Sequence, residues 1–287
     1  MNVEMNMDIY TLEITDSIKL IYTISSEKVG RHSHYPHTHS FCELYFLLEG
    51  KYSYMVENGI YDVPYGTVIF TRPGELHSVI INEPCVYKRL YYQLPMNALD
   101  FLGDRHMRCF SDRPFGHRNL LVLPVEQMND CVKRILAGVE LYNSGSPDAR
   151  SIMLADLLYT LRTVNSCFDN PHSGAVGERR NTLISDALAY INTHFGEIRS
   201  TSEIASALYV SREYLSRSFT REMGIPLTKY LTTKRIEYAK NLLSEGIAPV
   251  EASTECGFGD YSHFIQVFRR ETGVTPFAYK KGQNEQG

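Results

Sequence analysis

The chain has 287 residues, of which 43% are hydrophobic and 22% charged, and its net charge is −4. That composition fits a folded globular protein with room for two domains, each able to bury a core of its own. It excludes a membrane-spanning chain, because no run approaches the roughly 18 uninterrupted apolar residues such a helix needs.

The first segment, Met1 to Tyr10, carries Glu4 and Asp8 and has no basic-then-apolar leader, so a cytoplasmic location is expected. As a short arm it is a candidate lid over the strand-rich region beyond it. From Ile18 to Leu94 the chain reads as short strands rich in β-branched and aromatic residues: Ile18–Ile24, Cys42–Leu48, Tyr52–Glu57, Ile60–Val63, Thr67–Phe70, Ser78–Ile81 and Tyr87–Leu94. Asn58-Gly59 between two of them is a two-residue hairpin signal. Many short strands at close spacing predict a barrel or sandwich.

After residue 124 the apolar period changes. Val125, Met128, Val132, Ile135, Leu136 and Val139 recur at helical spacing, as do Ile152, Leu154, Leu157, Leu158 and Leu161, with a turn at Asn143-Ser-Gly-Ser-Pro147. The spacing predicts an antiparallel pair, Val125–Tyr142 and Asp148–Cys167. Its apolar surplus points to a dimer interface that includes Val132, Val139, Leu154, Leu158 and Leu161. Asn165 to Gly177, with Pro171 and two glycines, reads as a linker. The six cysteines, Cys42, Cys85, Cys109, Cys131, Cys167 and Cys256, have no CxxC spacing and read as reduced thiols.

Everything after Asn181 is helical in pattern. Residues 178–287 hold 14 of the 29 Lys+Arg and 13 of the 33 Asp+Glu, a net +1 against −5 for the remainder, so charge alone does not mark a nucleic-acid binder. The helix punctuation is more informative. Ser200 and Glu203 form a capping box that opens a helix through about Leu208. Ser211 is an N-cap for Arg212 to Met223, closed by Gly224. Pro226 opens a longer helix with Tyr230, Leu231, Ile236, Ala239, Leu242 and Leu243 on its buried side. The theme then recurs: a short helix over Pro249–Cys256, a Gly257-Phe258-Gly259 turn, and a helix from Asp260 to Glu271 closed by Gly273. Two short helices joined by a tight turn have the layout of a helix-turn-helix.

Tyr214-Leu-Ser-Arg-Ser-Phe219, Tyr230-Leu-x3-Arg235-Ile-x2-Ala239-Lys-x-Leu-Leu243, Gly257-Phe258-x-Asp-x-Ser262-x-Phe264-x3-Phe268 and Gly273-Val-Thr-Pro-x2-Tyr279 closely resemble the AraC/XylS signature over about a hundred residues. The resemblance implies two helix-turn-helix units bridged by the Pro226–Ser244 helix, reading successive major-groove segments of double-stranded DNA. Carried onto this chain, the base-facing positions are Glu213, Ser216 and Arg217 in the first unit and Ser262, His263 and Gln266 in the second. Arg212, Arg221, Lys229, Arg269 and Arg270 are candidates for phosphate contacts. Arg235 is a candidate structural partner instead. Ala252-Ser253 stands where the family often has Ile-Ala, and Gln266 where it often has Arg. The family also implies a contact with RNA polymerase.

In the first half, His37-x-His39-x3-Glu43-x6-Gly50, followed by Gly66, Pro73-Gly74 and His77, is similar to the two motifs of the cupin superfamily. The similarity implies a divalent metal on His37, His39, Glu43 and His77, a donor set that suits Zn, Fe, Ni or Mn. Strand alternation by itself lets His37, His39, Glu43 and Tyr45 face one side. Three uses remain open here: a metal, a small effector bound by some of these groups without metal, or a mutually satisfied interior. Tyr54 (with Tyr52 and Val56 on one strand face) and Arg72, which suits an anion, complete the candidate effector residues. His32 and His34 are expected at the surface.

The expected organisation is a multi-domain chain, an all-β cupin-like barrel with a helical hairpin followed by an all-α domain. Residues 1–124 form the effector-sensing barrel, 125–167 the hairpin assigned to dimerisation, 168–180 the linker, and 181–287 the double helix-turn-helix domain. The expected function is that of a DNA-binding activator, homodimeric and effector-controlled. Against it stands a metal-dependent cupin enzyme (an isomerase or dioxygenase) fused to a DNA-binding domain. No nucleophile–base arrangement or phosphate-binding loop is evident, and no enzyme activity is expected.

Overall fold

Alternation of side chains along the strands sorts the first half of the chain into layers. A computed structural model describes residues 7–25, 32–33, 36–57, 59–81, 83–170 and 182–284. Residues 1–6, Asn58 of the expected hairpin turn, and most of the expected linker lie outside the described residues, as do His34 and the side chain of His32. Strands β1 (Met7–Glu13), β2 (Lys19–Ser25), β3 (His32–Ser33), β4 (Cys42–Glu49), β5 (Tyr52–Val56), β6 (Gly59–Asp62), β7 (Thr67–Thr71), β8 (His77–Ile81), β9 (Lys88–Leu94) and β10 (Leu120–Val122) form two sheets. One runs β1-β2-β9-β4-β7-β10 and the other β3-β8-β5-β6, with antiparallel pairing throughout.

On β4, Cys42, Leu44 and Phe46 belong to one buried cluster, while Tyr45 and Leu47 belong to another. On β9 the same split puts Leu90, Tyr92 and Leu94 on the outer side and Tyr91 on the inner. The inner faces of both sheets meet around Tyr45, Tyr52, Tyr54, Val56, Val79 and Ile81, which is the barrel interior. A strand has period two, so each one serves two cores at once.

The outer face of the six-stranded sheet is covered by α2 (Val125–Asn143) and α3 (Ala149–Phe168), with the short α1 (Arg108–Ser111) beside them. Val139 and Leu161 are 9% and 0% exposed within this core, and Val132, Leu154 and Leu158 pack against it. The apolar surplus read as a dimer surface is therefore consumed largely within the chain. β1 corrects a second expectation: Met7–Tyr10 pairs with β2 from Met7↔Ser25 onward, so this part of the arm is a sheet edge and not a lid. The segment holds Ile9, Tyr10, Thr11 and Leu12, all strand-compatible, and the β2 partner supplies its hydrogen bonds. β10, three residues on the far edge, is silent in the sequence.

The outer face of the four-stranded sheet meets the helical domain. Met55, Ile60, Leu76 and Ile80 share one buried cluster with Leu215, Phe219, Leu227, Tyr230 and Leu231. That domain comprises α4 (Thr182–His194), α5 (Thr201–Ala207), α6 (Arg212–Met223), α7 (Leu227–Ser244), α8 (Pro249–Glu255), α9 (Tyr261–Thr272) and α10 (Pro276–Asn284). The Ser211 cap is the one the sequence announces, and Asp260, read as the start of its helix, is the N-cap of α9. Ser211 Oγ accepts from Tyr214 N at 3.2 Å, and Asp260 Oδ1 accepts from His263 N at 2.6 Å. Gly224 and Gly273 close α6 and α9 at φ +70° and +82°, a conformation that a Cβ disfavours. A second core, with Ile236, Ala239, Leu242, Leu243, Ala252, Cys256, Phe264 and Phe268, joins α7 to the second unit. Ala252 and Ser253, the positions that depart from the family pattern, are 0% and 3% exposed, so small residues pack closely there. All six cysteines are free thiols, four of them buried.

Candidate functional site

The barrel interior contains a cavity of about 180 Å³ lined by His37, Glu43, Tyr45, Tyr54, His77, Val79, Arg89 and Tyr91. Register explains the membership. Glu43 pairs with Gln93, Tyr45 with Tyr91 and Leu47 with Arg89 across β4 and β9, all on the inner face. From β5 and β8, Tyr54 pairs with Val79 and Val56 with His77, and the Tyr54 and His77 rings stack at 6.1 Å.

At one end of the cavity three imidazoles converge. One ring nitrogen from each of His37, His39 and His77 lies within 4.8 Å of the others. His37 and His77 also exchange backbone hydrogen bonds of 3.1 Å, which fixes the loop before β4 against β8. His39 Nδ1 and His77 Nδ1 donate to the carbonyls of Phe41 and Glu75, both at 2.8 Å. Carbonyls only accept, so the Nδ1 atoms carry the protons, and in the neutral rings each Nε2 turns a lone pair inward.

Both Nε2 atoms are buried without a hydrogen-bond partner, 3.3 and 3.5 Å from the Glu43 carboxylate. Lone pairs facing a carboxylate repel unless a cation, proton or metal, lies between them. Burial by itself would raise the Glu43 carboxyl, but a proton on the inward nitrogens of His39 and His77, hydrogen-bonded to it, holds it well below the usual carboxylate range. These residues fit a divalent metal. The donors are three converging imidazoles with the Glu43 carboxylate beside two of them, and for His39 and His77 the inward nitrogens lack partners while backbone carbonyls orient the rings from behind.

Behind His77 stands a buried ion pair that the sequence did not announce. Arg113 donates to Glu75 Oε1 at 2.6 Å and to Oε2 at 2.7 Å, and both side chains are fully buried. Gly116 N and Asn119 Nδ2, both at 2.8 Å, add further donors to the Glu75 carboxylate. Arg72 belongs to this network and not to the cavity. Its Nε lies 3.5 Å from Glu75, its NH1 donates to the carbonyls of Phe110 and Arg113, and its guanidinium sits over the Phe115 ring. The reading of Arg72 as an anion partner in the pocket is thereby corrected. Proximity to the Pro73-Gly74 motif suggested it, but the turn directs the side chain outward.

The inward arginine is Arg89. Its guanidinium carbon lies 5.0 Å from the Tyr91 ring centre, 5.5 Å from Tyr87 and 5.6 Å from Tyr45. Arg89-x-Tyr91-x-Gln93 has the inward period of β9, and that signal could have found it.

In the helical domain, Arg212, Glu213, Ser216, Arg217 and Arg221 on α6 are all exposed, as are Ser262, His263, Gln266, Arg269 and Arg270 on α9. The opposite faces are buried through Leu215 and Phe219 in the first case and Phe264 and Phe268 in the second. Two residues prove structural. Lys229 pairs with Glu271 at 2.5 Å, joining α7 to α9, and the exposed Arg270 reaches the same carboxylate at 3.0 Å. Arg235 donates to the carbonyls of Phe195 and Ile198 and lies over the Phe258 ring, so it ties α7 to the α4–α5 loop.

Two polar contacts join the barrel to α7. Lys234 Nζ donates to Glu57 Oε2 at 2.8 Å. The Thr38 hydroxyl donates to the Glu237 carboxylate, which also takes a proton donor from Lys240 at 2.8 Å. Thr38 sits between His37 and His39, so the loop that forms the cavity's histidine end also touches the helix bridging the two helix-turn-helix units.

Comparison with known proteins agrees with this layout. An AraC-like ligand binding domain matches residues 24–160, and a helix-turn-helix domain matches residues 204–282. The HTH-type transcriptional activator RhaS of Escherichia fergusonii is 25% identical over 255 residues, covering 86% of this chain and 88% of the relative. RhaS of Klebsiella pneumoniae is 25% identical over 279 residues, covering 95% and 98%. The activator RhaR of an Enterobacter species is 24% identical over 246 residues, covering 85% and 86%. Among the described residues no helix is long and apolar enough to cross a membrane. A ligand-binding barrel carrying a converging polar cavity, followed by a double helix-turn-helix with both outer helix faces exposed, places the chain in the AraC family of DNA-binding transcription regulators.

Proposed function

We propose that this chain is a cytoplasmic, homodimeric transcription activator whose barrel cavity takes a small sugar-like effector and whose α6 and α9 read two major-groove segments. Glu213, Ser216 and Arg217, with Ser262, His263 and Gln266, face base edges; Arg212, Arg221, Arg269 and Arg270 hold phosphates. Relatives named as activators support the direction of control, and the family supports contact with RNA polymerase. Stacked aromatic walls and hydroxyls support a polyhydroxylated effector: tyrosine faces cover the apolar side of a sugar ring, while Tyr45, Tyr54, His37 and Glu43 exchange hydrogen bonds with its hydroxyls. A divalent cation on His37, His39, His77 and Glu43 completes that end of the site, supplying positive charge where ring lone pairs and a carboxylate converge.

The observation that carries the reading is Thr38. A ligand that moves the His37–His39 loop alters the Thr38–Glu237 contact and, through α7, the relation of the two reading helices. A ligand shifts this equilibrium only by its differential affinity for the two arrangements. The test begins with selection of duplex sites from a random pool by the full chain. Affinity for the selected site is then measured with and without a panel of monosaccharides, in the wild type and in Thr38→Val. Effector-dependent binding that weakens in Thr38→Val is expected. Site-specific binding indifferent to every sugar and every variant of the cavity would remove the sensor role.

A further inference from the structure

The cavity has two chemically opposite ends. On β4 and β9 the inward pairs run Glu43↔Gln93, Tyr45↔Tyr91, Leu47↔Arg89. Four residues of strand separate the Glu43 level from the Arg89 level, roughly 13 Å along the barrel. The histidine-and-carboxylate cluster is therefore at one end and a guanidinium at the other, with the stacked Tyr45 and Tyr91 rings, 5.9 Å apart, between them.

Arg89 is held as a charge without a counter-charge. Among the described residues no carboxylate pairs with it; Glu43 is engaged by His39 and His77 at the far end. Its Nε is buried and has no hydrogen-bond partner. Three tyrosine faces surround it, and cation–π contact offsets only part of the desolvation of a guanidinium. The tyrosines do not supply the missing negative charge either. Burial pushes the hydroxyls of Tyr45, Tyr87 and Tyr91 above their usual range, so they stay protonated at neutral pH, and Tyr45 and Tyr87 hydrogen-bond to each other at 2.6 Å. The Tyr45 and Tyr87 hydroxyls engage part of this planar fork, and its Nε edge stays open on the cavity, where it matches an oxygen of a carboxylate. The volume, about 180 Å³, holds one molecule of monosaccharide size.

We infer that the effector is a small polyhydroxylated carboxylate, a sugar acid or hydroxy acid, whose carboxylate is received by Arg89 while its hydroxyls lie between the tyrosines and face the histidine end. The inference rests on the barrel cavity being the effector site. Arg89 is then the residue that selects acids over the corresponding neutral sugars.

The test uses the full chain and matched probes: glucose, gluconate and glucuronate, galactose and galacturonate, with lactate and glycerate as minimal carboxylates small enough to enter in any pose. Binding is followed by thermal shift and calorimetry in the wild type, Arg89→Met and Arg89→Lys. At least one acid is expected to bind about tenfold or more tightly than its neutral parent, with the preference lost in Arg89→Met and partly kept in Arg89→Lys. Arg89→Met is also expected to raise the melting temperature of the ligand-free chain, because it removes an uncompensated buried charge. If neutral sugars bind as well as their acids and the cavity variant Tyr54→Ala abolishes that binding, the acid preference is wrong while the cavity remains the effector site. If no probe of either kind binds and Arg89→Met lowers the ligand-free melting temperature, Arg89 is a structural cation and the inference is overturned. Acid binding that survives both Arg89→Met and Tyr54→Ala lies outside the cavity and overturns it as well.

Discussion

Lys234, on the helix that bridges the two helix-turn-helix units, donates to Glu57 of the barrel at 2.8 Å, and both side chains are mostly buried. Glu57 is itself anchored, since its Oε1 accepts from Leu76 N at 2.7 Å and its backbone sits at φ +48°. A side chain in that conformation is retained only where its surroundings over-determine it. The pair thus joins a strained corner of the sensor to the frame of the DNA-binding domain, one layer away from the cavity.

Lys234→Met is expected to lower stability by about 1–3 kcal/mol, because the buried carboxylate of Glu57 loses its cationic partner. Loosening should be local. Hydrogen exchange in α7 and in β5–β6 is expected to accelerate, while β1, β2 and β9 stay protected. Uniform acceleration across the chain would mean the contact is not an interdomain latch.

The buried pair Glu75–Arg113 sets an acid limit. Burial alone would raise the Glu75 carboxyl, but Arg113 and the Gly116 amide hold it below its ordinary value of 4.5. A depressed folded pKa contributes stability that is fully present above the unfolded value and is lost as pH falls through the folded one. The melting temperature is therefore expected to hold down to about pH 5 and to fall below it. Glu75→Gln leaves Arg113 buried and unpaired at a cost of about 3–5 kcal/mol at neutral pH. Melting curves from pH 7 to pH 3 should show a shallower acid decline in the variant, and equal slopes would contradict the assignment.

DNA variants separate reading from holding. Arg217→Ala is expected to lose about 1–3 kcal/mol of discrimination at one base pair of the selected site. Arg270→Ala should weaken binding to all sequences alike and reduce the salt slope by about 1. Competition binding across single-base variants, at several salt concentrations, distinguishes the two. A uniform loss in Arg217→Ala would move it to the phosphate group.

The metal end is tested by content. Protein purified without an affinity tag is expected to hold about one Zn, Fe, Ni or Mn ion per chain, with His77→Gln and His39→Ala reducing that content at least tenfold. Elemental analysis gives the answer directly, and a wild-type chain that takes up no divalent ion from a metal buffer would leave protons as the only cation shared by these rings.

Two glycines with similar backbone angles should respond differently. A Cβ on Gly257, at φ +77°, would meet the Gly196 carbonyl oxygen at 2.2 Å, whereas one on Gly273, at φ +82°, meets nothing within 4 Å. Gly273→Ala is expected to cost about 1 kcal/mol for the backbone alone. Gly257→Ala should cost well over that, since backbone must move, and thermal melts of the two variants give the comparison.

Features that depend only on neighbours along the chain are readable from the residues alone. The helix cap at Ser211, the stops at Gly224 and Gly273, seven of the strands, the α2–α3 pair and the exposed faces of α6 and α9 follow from local periodicity and turn chemistry. His37, His39 and Glu43 are legible too from their spacing along a short stretch of chain, while His77, 34 residues beyond Glu43, is legible only through the resemblance to the cupin motifs. Alternation leaves one thing undetermined, namely which face of each strand meets which layer, and that was settled by packing. The outcome put Arg89 inside and Arg72 outside, buried Glu75 against Arg113, and turned Val139 and Leu161 into the sensor's own core. It also brought Thr38 and Glu57 against a helix nearly two hundred residues away in sequence. The reason is physical. A strand side chain has only two directions, and which of them faces solvent depends on what the rest of the chain packs against it.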